Sequence, residues 1–275
     1  MQNETGFADI NGTKIYYTDS SIHLPQTIVM IHAGICDHRM WNTQIAHFAQ
    51  RYRVLAFDMY GFGQSGTPQA AFAFHEDIVG LLDQRNIDSA WFIAASLGAA
   101  ITFDIVLMHP RRVNGLILVA PAIAGYRYNG DPHPLAKAIE VAEDANDLER
   151  LSELEVQMWV DGEGRKPSDL DPNMRQLVIE MNLIALQTDD VFWEHEIKID
   201  PPALERLSEI DKPTLLIYGD LDVPASLQRV EIITDKITGA EKMLIPDTAH
   251  LPNMEQSDAF NQIVDAFMAQ NMLDG

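Results

Sequence analysis

Apolar residues in this chain gather in short unbroken runs, with longer stretches of mixed character between them. Residues 27–31, 53–57, 90–95, 113–120, 214–218 and 242–245 are such runs, rich in Val, Ile, Leu, Phe and Ala. They lack the polar alternation of a half-exposed strand. That pattern predicts parallel strands covered on both faces. Between them, apolar positions recur at helical spacing over 37–51, 74–84, 97–109, 225–237 and 258–271. Strand and helix therefore alternate, which predicts an α/β fold with a doubly wound, mostly parallel sheet. Residues 6–17 read as an opening hairpin turning on Asn11-Gly12, placed antiparallel at one edge.

The alternation stops between 121 and 210. This stretch is helical at 135–141, 148–159 and 174–186, with Gly125, Gly130, Pro132 and Pro134 at its start and Pro201-Pro202 near its end. The expected organisation is a core over 1–120 and 211–275, interrupted by a helical cap over 121–210.

Composition narrows the function. The chain has 275 residues with 41 acidic and 19 basic side chains, a formal net charge of −22. Such a surface repels phosphate backbones and anionic lipid, so neither nucleic acid nor membrane is an expected partner. No apolar run approaches the roughly 18 residues of a membrane span. The first residues carry no basic segment followed by an apolar one, and a cytoplasmic location is expected. The single cysteine, Cys36, excludes an intrachain disulfide and reads as a small core residue.

Reactive side chains should gather where the parallel strands end. The run 90–95 ends in Ala94-Ala95-Ser96-Leu97-Gly98, directly before a helix of small residues. A serine at such a strand-to-helix corner is pushed out of the turn at a helix N-terminus, the geometry of a nucleophile elbow. After 214–218 comes Gly219-Asp220-Leu221-Asp222, and after 242–245 comes Pro246-Asp247-Thr248-Ala249-His250. Serine, acid and histidine thus follow strand ends in the chain order expected of a nucleophile, an orienting carboxylate and a base. A serine hydroxyl needs a base to attack at neutral pH, and an imidazole can take and return that proton. Asp220 and Asp222 compete for the carboxylate role; Asp222 is favoured, because the acid nearest the strand packs into the turn. Asp247, so near His250, reads as a loop cap. The amide of Leu97 supplies one donor to an oxyanion, and the loop His32-Ala33-Gly34-Ile35 supplies the second, at Gly34 with Ile35 in reserve. His32 itself reads as a residue that fixes the loop. Histidines 32, 38 and 47 are too scattered to suggest a metal site.

At this point the chain resembles the α/β-hydrolase-fold serine hydrolases, in their branch of small carboxylesterases and enol-lactonases. His32-Ala33-Gly34 with Trp41 resembles the family's His-Gly-x…Trp segment, and Asp58-Met59-Tyr60-Gly61-Phe62-Gly63-Gln64-Ser65 its Asp-x-Arg-Gly-x-Gly-x-Ser turn. The resemblance implies Ser96 as nucleophile, His250 as base, Asp222 as acid, the Gly34 and Leu97 amides as oxyanion hole, and no cofactor or metal. It implies an ester or lactone as substrate. The cap's Met158, Trp159, Met181, Phe192 and Trp193 are candidate linings of an acyl pocket or members of the cap's own core, and with no long apolar lid stretch they point to small or medium apolar acyl groups. Ala33 and Ala94 replace glycines of the family pattern, and Tyr60 replaces an arginine. Two other activities occur on this fold, slow hydrolysis by a small-molecule receptor and carbon–carbon bond hydrolysis. The latter usually places a tryptophan after the histidine, where this chain has Leu251.

Overall fold

A computed structural model describes residues 4–20, 24–188 and 190–272. The opening hairpin forms from β1 (Glu4–Ile10) and β2 (Thr13–Asp19). Its turn residues Asn11 and Gly12 have φ of 51° and 83°, the backbone that an Asn-Gly turn adopts readily. The six apolar runs become β3 (Thr27–Ile31), β4 (Arg53–Phe57), β5 (Ala90–Ala95), β6 (Val113–Val119), β7 (Thr214–Gly219) and β8 (Glu241–Ile245). The eight strands make one sheet in the order β1-β2-β4-β3-β5-β6-β7-β8. β2 runs antiparallel to β1 and β4, and all pairs from β4 to β8 are parallel.

The helices are α1 (Asn42–Phe48), α2 (Phe74–Gln84), α3 (Leu97–Met108), α4 (Ala136–Asp144), α5 (Leu148–Val156), α6 (Pro172–Leu186), α7 (Ala203–Arg206), α8 (Pro224–Lys236), α9 (Pro252–Glu255) and α10 (Ser257–Met272). Strand side chains alternate in direction, so an unbroken apolar run feeds both faces of the sheet. Val29, Ile31, Phe92, Ala94 and Leu118 join a core with Ile78 and Leu81 of α2, Phe103 of α3 and Val230 of α8. Ile28, Met30, Ile93 and Ile117 join the opposite core with Ile45 and Phe48 of α1 and Phe260 and Val264 of α10. The stretch between β6 and β7 carries α4 to α7. Its own apolar cluster is small (Ala142, Leu151, Leu154), while Val156, Val160, Val178 and Met181 belong to the second sheet core. No helix among the described residues is long and apolar enough to cross a membrane.

Two expectations change in form. The helical pattern over 37–51 divides into a 3-10 turn, His38–Trp41, and α1, because the Asp37 carboxylate accepts from the Arg39 amide and caps a tighter turn. The run 242–245 is covered less than its composition suggests. β8 pairs only with β7, and of its residues only Ile245 is buried; Met243 and Leu244 face outward.

Candidate active site

Ser96 sits between β5 and α3 with φ 49° and ψ −111°. A non-glycine residue held there stores roughly 1–3 kcal/mol, so its surroundings must fix it. They do so through the main chain. The Ser96 N–H donates to Val119 O at 2.9 Å, and Ser96 O accepts from Ala99 N at 3.0 Å and Ala122 N at 3.1 Å. Two residues on, a Cβ at Gly98 would lie 2.6 Å from Ile31 O and 2.7 Å from His32 O. These are backbone atoms, so glycine is required there. Ala94, which replaces the other glycine of the pattern, is accommodated and fully buried.

The structure brings His250 and Asp222 together. His250 Nδ1 lies 2.8 Å from Asp222 Oδ2, and both residues are buried. The other oxygen of Asp222 accepts from the Val223 amide at 2.8 Å, leaving Oδ2 aimed at the ring. The turn after β7 meets the loop after β8 closely: a Cβ at Gly219 would sit 2.1 Å from Thr248 O, and Leu221 N–H donates to that same oxygen at 3.0 Å. Asp220 is exposed and accepts from the Asp247 amide at 2.8 Å, a role within the loop. Ser96, Asp222 and His250 thus stand at the carboxyl ends of β5, β7 and β8. Among the described residues no hydrogen bond joins the Ser96 hydroxyl to His250.

The loop after β3 is tied down by hydrogen bonds on both sides of Gly34. His32 is fully buried; its Nδ1 lies 2.8 Å from Ala33 O, and its Nε2 accepts from Met59 N–H at 2.9 Å. That pair of bonds requires the neutral ring protonated at Nδ1, and burial pushes its pKa below the ordinary value. Ala33 O also accepts from Cys36 N at 3.0 Å, closing a turn around Gly34 and Ile35. Neither of those two amides has a protein acceptor among the described residues. The Leu97 amide opens α3, where the first N–H groups have no partner within the helix. Gly34 faces Leu97, whose Cδ2 would be 3.5 Å from a Cβ at Gly34.

Asp37, His38 and Asp58 cluster beneath this loop. Their atoms are engaged by the protein: Asp58 binds His38 Nδ1 at 2.6 Å and the Gln64 amide at 2.8 Å, and Asp37 forks onto Arg39. Burial opposes ionisation of Asp58, but His38 foremost, together with His32 and the Gln64 amide, outweighs it and holds the carboxyl below its usual range. The arrangement anchors the loop. Cys36 is fully buried, and burial raises its thiol pKa well above the ordinary value. It belongs to the core. Tyr60, in place of the family's arginine, is buried with its hydroxyl 3.2 Å from Asp77.

The candidate pocket residues fall in different places. The Trp159 ring stacks obliquely on His250, 4.6 Å between centroids, and Trp159 O accepts from the His250 amide at 3.1 Å. Met158 beside it is half-buried. Met181 is fully buried, with its sulfur accepting from the Asp37 amide at 3.4 Å. Trp193 and Phe192 stack on each other on the other side, and Trp193 lines a groove with Leu97.

One set of residues was missed in the sequence. Arg165 donates to Glu255 Oε2 at 2.6 Å, to Asp247 O at 3.0 Å and to Val160 O at 2.9 Å, while Glu255 Oε1 accepts from the Ala249 amide at 2.7 Å. This clamp ties the turn that carries Trp159 to both ends of the histidine loop. A glutamate five residues after the loop histidine was its only local sign.

With this geometry in view, comparison with known proteins places the chain. Residues 28–263 match the alpha/beta hydrolase family, and the chain belongs to that family. It is 22% identical over 259 residues to the carboxylesterase YbfK of Bacillus subtilis, covering 88% of this chain and 80% of that one. It is 26% identical over 234 residues to 3-oxoadipate enol-lactonase 1 of Acinetobacter baylyi, covering 84% of each. The solved enol-lactonase of Burkholderia xenovorans LB400 has the same fold, with a TM-score of 0.77 at 23% identity over 96% of this chain and all of that one.

Proposed function

We propose that this protein hydrolyses carboxylic esters or lactones with small to medium apolar groups, through an acyl-enzyme on Ser96. The observation that carries the reading is the buried 2.8 Å contact between Asp222 and His250, at strand ends that also present a serine on a strained elbow. The relatives named for carboxylesterase and enol-lactonase activity support the same class of substrate.

In this reading Asp222 holds the His250 ring with Nδ1 protonated, leaving Nε2 as the base. Nε2 takes the Ser96 proton as Oγ attacks the carbonyl carbon. The oxyanion is received by the Gly34 and Leu97 amides, which have no protein acceptor among the described residues. His250 then protonates the departing alcohol oxygen. A water activated by the same nitrogen releases the acid and restores Ser96. Trp159 shields the ring from solvent on the side of the β6–β7 excursion, with Met158 beside it, and Trp193 adds apolar cover on the other side next to Leu97. A panel of p-nitrophenyl esters and lactones, assayed beside Ser96→Ala, tests this. Continuous turnover that falls by several orders of magnitude in the variant is expected; retention of more than about a tenth contradicts the reading.

A further inference from the structure

A groove of about 420 Å³ runs beside α3. One wall is the helix face Leu97, Ala100, Ile101 and Asp104; the other includes Ile123 and Trp193. It begins at Leu97, the residue after the elbow serine, and the Ser96 carbonyl is bonded to Ala122 of its far wall. From Leu97 to Asp104 the helix rises about 10 Å, the reach of a medium-length chain.

The walls are apolar until this far end. There Asp104 Oδ1 is buried and has no hydrogen-bond partner among the described residues. A buried acceptor without a donor costs on the order of 1–3 kcal/mol. The charges facing Asp104 come from two elements: Glu196 and Lys198 of the opposite wall and Arg206 of α7. Both cations are already paired, Lys198 with Glu196 at 3.3 Å and Arg206 with Glu209 at 2.8 Å. The Lys198–Glu196 and Arg206–Glu209 pairs are each neutral in sum, so an ionised Asp104 leaves this end with a net negative charge, on a molecule of formal charge −22. A positively charged donor would meet complementary charge both locally and at long range.

We propose that the groove receives one arm of the ester bound at Ser96, and that Asp104 selects arms ending in an ammonium group. The inference rests on the Ser96 reading and adds a substrate class to it. It has a pH signature. Burial, reinforced by Glu196 and opposed by Lys198 and Arg206, pushes the Asp104 carboxyl up to about 7. The acid is neutral below that pH and anionic above it, so the preference for a cation rises as pH increases through 7. Taking the ratio to an uncharged ester of equal length cancels any effect of pH on the chemistry common to both.

The experiment compares kcat/KM for p-nitrophenyl esters of butanoic, hexanoic and octanoic acids bearing a terminal amine with methyl-ended esters of equal length. A second series places the amine on the alcohol side, and a third replaces it by a hydroxyl. In one of the first two series the ammonium ester should be preferred by about tenfold or more at an intermediate length. In Asp104→Asn that ratio should fall to near one and lose its rise across pH 7. Turnover without any ammonium preference, an equal preference for hydroxyl ends, or a preference that survives Asp104→Asn overturns the proposal and leaves the hydrolase reading intact. Absence of all ester turnover removes that reading instead. Calorimetry with hexylammonium against hexanol then decides the groove: binding lost in Asp104→Asn sustains it, and no binding to wild type overturns it.

Discussion

Ser96 and Asp222 show how far a single position can be read from its neighbours. The elbow was legible because its spacing is set by sterics: a Cβ at Gly98 would come within 2.7 Å of two backbone oxygens, so only glycine fits. The choice between Asp220 and Asp222 was legible only as a preference. In the structure Asp220 accepts from the Asp247 amide, while Asp222 is buried with Oδ2 2.8 Å from His250 Nδ1. Replacing Asp222 by asparagine keeps the shape but favours the wrong imidazole tautomer. Asp222→Asn should therefore lower kcat by about three to four orders of magnitude, whereas Asp220→Asn should lower it less than about tenfold. Steady-state rates on one p-nitrophenyl ester check this; the reverse ranking would move the acid to Asp220.

At the level of elements, unbroken apolar runs marked β3, β4 and β5 to the residue, because a strand buried on both faces has no reason to vary. Edges and turns were less legible. β8 has an apolar composition yet lies open, since its neighbours are a matter of topology and not of its own residues. The Arg165–Glu255 clamp left only a glutamate near the histidine as a sign: its partners are 90 residues apart and meet only once the excursion folds back onto the histidine loop. The clamp is mostly buried, with 16% of the Arg165 side chain and 6% of the Glu255 side chain exposed. Removing one partner leaves the other charged and enclosed. Burial already raises the Glu255 pKa against the opposing pull of Arg165. Arg165→Ala is expected to destabilise the fold by about 2–4 kcal/mol, read as a lower urea midpoint with unchanged slope. A midpoint equal to wild type would show that the loop holds without it.

Across the whole molecule, the hydrophobic rhythm specified a doubly wound sheet, and the order of serine, acid and histidine along it specified where chemistry would gather. The stretch between β6 and β7 was legible as an interruption but not in its packing. Part of its core merges with the sheet core through Val156, Val160, Val178 and Met181. The net charge of −22 also acts at this scale. Self-repulsion among surface carboxylates opposes compactness and is screened by salt. The melting temperature should therefore rise between about 0.01 M and about 0.3 M sodium chloride at neutral pH; a flat or falling trend would mean that local ion pairs outweigh the global repulsion. The central claim is that one serine, made nucleophilic by the His250–Asp222 pair, carries the acyl group. Peptide mapping after reaction with a fluorophosphonate tests it most directly. The account predicts one adduct per chain, on Ser96, formed far more slowly in His250→Ala. An adduct on any other residue, or equally fast labelling without His250, would contradict it.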